Sequence, residues 1–271
     1  SIIECGVNEG FGLMSWAKFS AILEPVNLTR RVYGFDSFAG FPNKSNKDIS
    51  NKSSHIKKGD LAANSFKELN DLIKIFKQLD KDNKIKVIIL EGAGKGFSAG
   101  HNLKEVRGLK KKEKHQKLFN LCSKLMLQIV EGKKPVIAKV HGAAFAAGCQ
   151  LVASCDLAYS SKDALFATPG VNIGLFCSTP MVAVSRKINR KPMMKMLLTG
   201  EPISAYFAKE IGLINDCYSK SKLNSEILKV AKKIASKSNL TIKIGKQTFY
   251  KQLEMPLRKA YAYTSKMMTL N

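Results

Sequence analysis

The sequence predicts an α/β fold, and two similar stretches carry most of that prediction. In each stretch a short apolar strand leads into a turn built from small residues, and the turn leads into the start of a helix. The first stretch covers residues 87–106 and the second covers residues 134–156. A strand, a small-residue turn and a helix N-terminus together suit a developing negative charge on oxygen.

The second stretch gives the clearest local signals. Residues 136–140 form a short apolar run with β-branched side chains, which predicts a buried strand. Residues 142–148 are almost all glycine and alanine, so another molecule can approach the backbone closely. Residues 147–154 then predict a helix, whose first N–H groups lack intrahelical acceptors. Tight packing alone would explain this pattern; one donor from each of the two turns, aimed at one point, would instead form an oxyanion hole.

Four longer segments follow one another in the chain. They are VIILEGAGKGFSAGHNLKEV, KPVIAKVHGAAFAAGCQLVASCDLAYSS, FATPGVNIGLF and LTGEPISAYFAKEIGLIND. Their order and spacing resemble the crotonase (enoyl-CoA hydratase/isomerase) superfamily over about residues 75–270. The resemblance implies a ClpP/crotonase-like β-β-α spiral, an acyl-CoA thioester as substrate, and a homotrimer or hexamer if the chain is complete.

The resemblance also assigns catalytic positions. The backbone N–H groups of His101 and Ala147 correspond to the family's oxyanion donors. Gln150 and Gly170 stand where hydratases have two glutamates, and neither can act as a general acid or base. Ser178 stands where the family's 4-chlorobenzoyl-CoA dehalogenases have a carboxylate. The standard hydratase and dehalogenase mechanisms are therefore not expected.

Other residues complete the implied site. The substrate-binding positions fall on Ser98, Ala99, Gly100, Asn102, Leu103, Ala143, Phe145, Ala146, Pro169 and Leu175. The side chain of His101 is a candidate proton carrier, and the Gln150 amide could orient a water molecule. Glu105 is read as a solvated carboxylate on a helix surface near the pocket mouth, and Asp156 as a structural residue.

The N-terminal segment has a different character. Its letters ECGVNEGFG and RRVYGFDSFAGFP predict two strands, a glycine-rich turn and a helix over residues 13–23. This partial Rossmann-like segment resembles the start of a class I S-adenosylmethionine-dependent methyltransferase of the macrocin O-methyltransferase type. That resemblance implies cofactor contacts for S-adenosylmethionine at Glu4, Gly6, Gly10 and Asp36. No cofactor is expected for the crotonase-like part, where the CoA thioester is the substrate.

The domain prediction follows from these two resemblances. Residues 1–43 form a partial methyltransferase-like segment, and residues 44–64 form a mobile linker rich in Lys, Ser and Asn. Residues 65–271 form a crotonase-like domain that lacks the family's usual first strands and C-terminal helices. We therefore expect a fusion of two partial domains.

Composition narrows the classes of partner. Net charge is +24, but only six of the 45 basic residues are arginine, so we expect a solvated lysine surface that attracts CoA phosphates rather than nucleic acid. No apolar run is long enough to cross a membrane. The six cysteines show no pairing motif and predict reduced, buried thiols in a cytoplasmic protein. The four histidines lack metal-ligand spacing, so no metal is expected.

Four functions remain open at this point. The first is a CoA-thioester enzyme with a non-standard proton carrier, acting as a weak hydratase, isomerase or thioesterase. The second is a protein that holds acyl-CoA without turning it over. The third is an O-methyltransferase, which residues 1–43 alone support. The fourth is an inactive fusion fragment.

Overall fold

The structure, a computed structural model, describes residues 2–5, 32–35 and 65–270. The first two ranges are described as strands only, without their side chains. The strands are β1 Ile2–Cys5, β2 Val32–Phe35, β3 Ile88–Glu91, β4 Val136–Val140, β5 Ala143–Phe145, β6 Leu157–Ser161, β7 Leu165–Ala167, β8 Ile203–Ser204 and β9 Asp216–Tyr218. The α-helices are α1 Ser65–Lys81, α2 Leu103–Gly108, α3 Lys112–Glu131, α4 Ala147–Ser154, α5 Ser178–Val184, α6 Arg190–Thr199, α7 Ala205–Glu210, α8 Lys220–Ala235, α9 Asn239–Leu253 and α10 Leu257–Met268.

Two sheets organise the described part of the chain. One has the strand order β2-β1-β3-β4-β6-β9, with every neighbouring pair parallel. The other has the order β5-β7-β8, in which β7 and β8 are antiparallel. Strand β1 pairs with β3 through Ile2 opposite Ile89 and Ile3 opposite Leu90. The two strands predicted in the N-terminal segment therefore share a sheet with the rest of the protein.

The cofactor contacts implied for the N-terminal segment fall outside this description. Gly6, Gly10 and Asp36 lie outside the described residues, as does the helix predicted over residues 13–23. Glu4 lies in β1, where the side chains are not described. The S-adenosylmethionine site stays a prediction.

Helices α1 and α3 cover one side of the parallel sheet. Leu69, Leu72, Phe76 and Leu79 of α1 are buried, as the helical spacing of its apolar residues predicts. Helix α3 buries the face predicted for it, with Leu118, Cys122, Leu125, Met126 and Ile129 inward. These two faces join one core together with β3 and β4, which places α1 and α3 beside the turns that follow these strands.

A buried ion pair fixes the C-terminal helix α9 to the sheet. The Lys246 ammonium donates to Asp156 Oδ2 at 2.7 Å and to the carbonyl oxygens of Ile129 and Lys134 at 2.8 and 2.9 Å. Asp156 also accepts from the N–H of Val136 at 2.7 Å, at the start of β4. Asp156 therefore has the structural role that the sequence indicated.

Several boundaries differ from the sequence prediction. The apolar residues of 85–90 predict a strand over that range, whereas β3 begins at Ile88. The turn predicted over residues 142–148 contains strand β5, which pairs with β7. Helix α10 was not predicted, because Pro256 ends the preceding helical pattern; the structure uses this proline as the N-cap of a new helix, where its missing N–H costs nothing.

The described cysteines, Cys122, Cys149, Cys155, Cys177 and Cys217, are buried and free of disulfide bonds, as predicted. Burial raises the thiol pKa values of Cys122 and Cys149 to about 12. Within residues 65–270, none of the helices has both the length and the apolar character needed to cross a bilayer.

Candidate active site

The two small-residue turns predicted to act together are in direct contact. The N–H of Ser98 donates to the carbonyl of Ala143 at 3.0 Å, and the N–H of Phe145 donates to the carbonyl of Ser98 at 2.8 Å. Ser98 thereby forms an isolated parallel bridge with Ala144. Because this pairing is between backbones, the register of the two turns is fixed independently of side-chain identity.

Glycine is required where the two turns meet. Gly148 follows the start of α4, and a methyl group there would lie 2.2 Å from the Ser98 carbonyl oxygen. Gly100 has a positive φ of 90°, and a methyl group there would lie 3.2 Å from the backbone nitrogen of Ala147. The chain just before His101 therefore lies against the N-terminus of α4.

Ala146 has an unusual backbone conformation at the same junction. Its φ is 49° and its ψ is −115°, a region that residues with a Cβ seldom occupy. Such conformations cost about 1–3 kcal/mol and persist only when the surroundings enforce them. Two backbone bonds do so here: the N–H of Ala146 donates to the Ala167 carbonyl at 2.9 Å, and its carbonyl accepts from Gln150 at 3.0 Å.

A small cavity lies in front of this junction. Its volume is about 20 Å³, enough for one oxygen atom or one water molecule but not for an acyl chain. Gly100, His101 and Ala147 line it together with Ser98, and its remaining walls are apolar. Among the described residues, the backbone N–H groups of His101 and Ala147 have no acceptor. The apolar walls are Leu69, Cys122, Leu125, Met126 and Leu151.

The His101 side chain is partly buried beside this cavity. Its ring packs edge-on against Phe119 of α3, with the ring centroids 5.7 Å apart and the planes at 62°. Burial lowers the pKa of the imidazole below its ordinary value of 6.5. His101 is therefore neutral at pH 7, with one ring nitrogen able to accept a proton.

Glu105 differs from its sequence interpretation as a solvated surface carboxylate. Its Oε2 accepts hydrogen bonds from the backbone N–H of Ser65 at 3.4 Å and from the Ser65 hydroxyl. Ser65 is buried and begins α1, so the carboxylate caps that helix at its positive end. Glu105 therefore ties α2, which follows His101, to the helix that carries Leu69.

Gln150 is buried in α4, with 3% of its surface exposed. Its side-chain Oε1 has no hydrogen-bond partner among the described residues. A buried unpartnered carbonyl costs about 1–3 kcal/mol, so a ligand or water that donated to it would be favoured. Gln150 lies one helical turn beyond Ala147 but does not line the small cavity.

The loop around Gly170 excludes any side chain at this position. A methyl group on Gly170 would lie 2.1 Å from the carbonyl oxygen of Leu175 and 2.9 Å from Cys177 Sγ. The N–H of Gly170 donates to that sulfur at 3.3 Å, and its carbonyl accepts from the Leu175 N–H at 2.9 Å. The 3₁₀-helix Pro169–Ile173 is closed on itself, and a glutamate at 170 does not fit it.

The structure divides the sequence-predicted residues into two groups. Ser98, Gly100, His101 and Ala147 line one cavity, whereas Gln150, Gly170 and Ser178 do not. The Ser178 side chain is exposed and donates to the Phe176 carbonyl at 3.4 Å. Of the implied substrate positions, Asn102 caps α2 by accepting from the N–H of Lys104 at 3.0 Å, and Ala99, Leu103 and Leu175 are exposed.

The apolar cavity walls were missed as site residues. Their helical spacing predicted a core face, and most of each face is core. Which members also border a cavity depends on how α1 and α3 pack on the turn after β3, and no local pattern encodes that.

Comparison with known proteins identifies the family. Residues 58–270 match the enoyl-CoA hydratase/isomerase family. Human mitochondrial enoyl-CoA hydratase domain-containing protein 3 is 50% identical over 189 residues, or 70% of this chain. Its rat counterpart is 49% identical over 187 residues. The chain spans 62% of the length of each of these relatives.

Solved structures extend the comparison to the fold. The crystal structure of human enoyl Coenzyme A hydratase domain-containing protein 3 superposes with a TM-score of 0.73 and 47% identity, over 75% of this chain and 80% of that one. An enoyl-CoA hydratase from Mycobacterium smegmatis gives a TM-score of 0.73 at 45% identity, over 74% and 79% of the two chains. The predicted crotonase fold is confirmed, and the chain belongs to the enoyl-CoA hydratase/isomerase family.

Proposed function

We propose that this chain binds acyl-CoA thioesters and stabilises an enolate at the thioester carbonyl through the backbone N–H groups of His101 and Ala147. The observation that carries the proposal is the cavity that both residues line, where neither N–H has an acceptor among the described residues. Its volume of about 20 Å³ admits a carbonyl oxygen and little more. Removing one such donor typically lowers kcat about 10²–10³-fold.

The proton carrier we propose is the His101 side chain. Two titratable side chains line the cavity among the described residues, His101 and Cys122, and burial keeps the Cys122 thiol protonated. In the proposed step the α-carbon–hydrogen bond breaks, the proton moves to the imidazole nitrogen, and the electron pair moves onto the carbonyl oxygen. When the imidazole exchanges its proton with solvent and then protonates the α-carbon, the result is exchange. When the thioester is β,γ-unsaturated, protonation of the γ-carbon moves the double bond to the α,β position, which is isomerisation.

A second candidate function is acyl-CoA binding without turnover. Gln150 and Gly170 favour it, because neither position supplies a carboxylate that could activate water. The Gly170 loop also leaves no room for such a side chain. The two candidates share the binding step and differ in whether the α-proton exchanges with solvent.

The first experiment is thermal unfolding with a panel of acyl-CoA thioesters, with S-adenosylmethionine as a control. A ligand at about 100 times its Kd adds about 2.7 kcal/mol to the free energy of unfolding. We expect stabilisation by at least one thioester, and its absence across the panel would contradict both candidates. The localisation predicted as cytoplasmic and the predicted trimer or hexamer remain predictions beside this proposal.

The second experiment is incorporation of deuterium at the α-carbon of the bound thioester in D₂O. We expect exchange by the wild type and loss of at least about 10²-fold in Ala147→Leu, whose side chain fills the cavity. The matched control is Ala262→Leu, the same change at an exposed position of α10. Stabilisation without exchange would identify the binding protein, and unchanged exchange in Ala147→Leu would exclude the proposed donor.

A further inference from the structure

A second cavity lies at the opposite end of β4 from the candidate active site. Its volume is about 260 Å³, and Pro135, directly before β4, forms part of its wall. Five lysines line it: Lys81, Lys86, Lys133, Lys134 and Lys243. We propose that this basic cavity is a binding site for the phosphate groups of a small phosphorylated compound.

Lys134 distinguishes this cavity from an ordinary lysine-rich surface. Only 9% of Lys134 is exposed, whereas Lys81 and Lys86 are exposed in the usual way. Its ammonium forms no hydrogen bond or ion pair among the described residues, and it lies in the field of the Asp80 and Asp82 carboxylates and of the Lys133 and Lys243 ammonium groups. Burial lowers its pKa. The stem of this lysine is buried, and its ammonium, which has no hydrogen-bond partner among the described residues, would be stabilised by an anion placed in the cavity.

The N-terminus of α9 forms another wall. Asn239, Leu240, Ile242 and Lys243, all from its first turns, line the cavity. The N-cap Ser238 accepts from the N–H of Thr241, which leaves the N–H groups of Asn239 and Leu240 without acceptors among the described residues. This helix is 15 residues long, so its positive end adds to the lysine charges.

Hydrogen bonds hold these walls in place. Asp80 accepts from the N–H groups of Lys133 and Lys134 at 2.9–3.2 Å, which fixes the loop before β4. The buried Lys246 ammonium donates to the Lys134 carbonyl and so brings α9 against that loop. Asn239 Nδ2 also donates to the Asn83 carbonyl at 3.3 Å. Donors and charges that are already positioned before binding lose little entropy when an anion arrives.

The charge balance selects the ligand class. Asp80 lines the cavity and Asp82 lies nearby, but five ammonium groups outweigh these two carboxylates. Helix N–H groups together with ammonium groups match the tetrahedral oxygens of phosphate better than a planar carboxylate ligand, which needs fewer donors. The source of the phosphate is either a free phosphorylated compound or the phosphates of coenzyme A itself.

The test is calorimetric titration at low ionic strength with inorganic phosphate and pyrophosphate as probes. We expect saturable binding by the wild type and at least about tenfold weaker binding by Lys134→Gln. The matched control is Lys191→Gln, which removes one exposed lysine from α6 and should leave Kd within about twofold. Absence of saturable binding, or equal weakening in both variants, would overturn the site.

Further measurements cover the case in which Lys134→Gln fails to fold and identify the source of the phosphate. Lys243→Gln changes a less buried wall residue and should also weaken binding if Lys134→Gln fails to fold. Ala147→Leu should bind pyrophosphate like the wild type, because the two cavities lie at opposite ends of β4, so failure of the proposed active site leaves this site intact. Displacement of pyrophosphate by CoA identifies the coenzyme as the phosphate source, and no displacement identifies a separate phosphorylated compound.

Discussion

The two ends of strand β4 address negative charge in different ways. At its carboxyl end, the turn before Ala147 offers backbone N–H groups in an apolar cavity of about 20 Å³. At its amino end, Lys134 and four further lysines surround a cavity of about 260 Å³ next to the start of α9. Each end of β4 lies next to the first turn of a helix, α4 at the carboxyl end and α9 at the amino end. Only the amino end also has the full positive charges of lysine side chains.

The two proposed ligands differ in when they carry negative charge. A phosphate carries its charge before it binds, so ammonium groups can attract it from solution and remain partly hydrated. An enolate carries charge only during the reaction, so its donors must already be fixed and shielded from water. Under the proposed function, small residues suit the second purpose, since Gly100 and Gly148 let the turns meet at backbone distance.

The largest expected effect is a loss in the free energy of unfolding when the ion pair near the amino end of β4 is removed. Lys246→Met removes the ion-pair partner of the largely buried Asp156 carboxylate and the donor to the Lys134 carbonyl. Leaving one buried charge unpaired typically costs about 3–5 kcal/mol. Urea denaturation measures the loss, and Lys259→Met, an exposed change on α10, should stay within about 0.5 kcal/mol. Equal stability of the two variants would show that the pair does not anchor α9.

The second effect tests the carboxyl end alone. His101→Gln keeps the backbone N–H but removes the titrating ring, and we expect α-proton exchange to fall about 10²–10⁴-fold. In the wild type, exchange should decline as the pH falls below 6.5 toward the lowered imidazole pKa, because protonation removes the base. Mass spectrometric deuterium counting measures both profiles, and retention of the same acid decline in His101→Gln would rule out His101 as the carrier.

The same histidine makes a linked prediction for stability. Because its folded-state pKa lies below 6.5, the unfolded chain binds the proton more readily. Acidification from pH 7 through 6.5 and below should therefore lower the free energy of unfolding of the wild type. His101→Gln should lose less stability over that range, and parallel curves for the two proteins would contradict the burial of a neutral ring.

A smaller effect tests whether the strained backbone of Ala146 helps to position the proposed donor. Ala146→Gly relieves the positive φ of 49° and should raise the free energy of unfolding by about 1 kcal/mol. The same change loosens the N-terminus of α4, so α-proton exchange should fall rather than rise. Urea denaturation and deuterium exchange on the same sample measure the two quantities. A rise in both the free energy of unfolding and the exchange rate would mean that the strain has no part in positioning the donor.

The smallest expected effect is a difference between the two ends of β4 in how their activities depend on ionic strength. Raising ionic strength from about 0.05 to 0.15 M should weaken phosphate binding several-fold, because partly hydrated lysines are screened. The exchange rate at saturating thioester should change by less than about twofold, since its proposed donors are uncharged backbone groups. If phosphate binding and α-proton exchange depended equally on salt, the proposed distinction between the two ends of β4 would be wrong.

Local signals were sufficient for the elements around Ala147. Strand β4 and helix α4 have the bounds predicted from the sequence, because β-branched residues, small-residue turns and helix spacing act within a few residues. The resemblance placed His101 and Ala147, and the structure brings them to one cavity.

Other features depend on parts of the chain that are far apart in sequence. Lys134 is one lysine among many, and its burial arises from contacts with Asp80 and α9 that lie 54 and more than 100 residues away. The Glu105 carboxylate caps a helix that begins 40 residues earlier. Charge and polarity alone predict solvent exposure for such residues, and only the packing of α1 and α9 reverses it.

The closed loop at Gly170 has an evolutionary consequence. With the Leu175 carbonyl 2.1 Å from the position of any Cβ, a glutamate introduced by one substitution would have to displace backbone before it could reach a substrate. Placing a carboxylate there would require the loop to open first, through changes at other residues of the loop. The order of substitutions would therefore matter, and a lineage with this loop is directed away from hydration chemistry at this position.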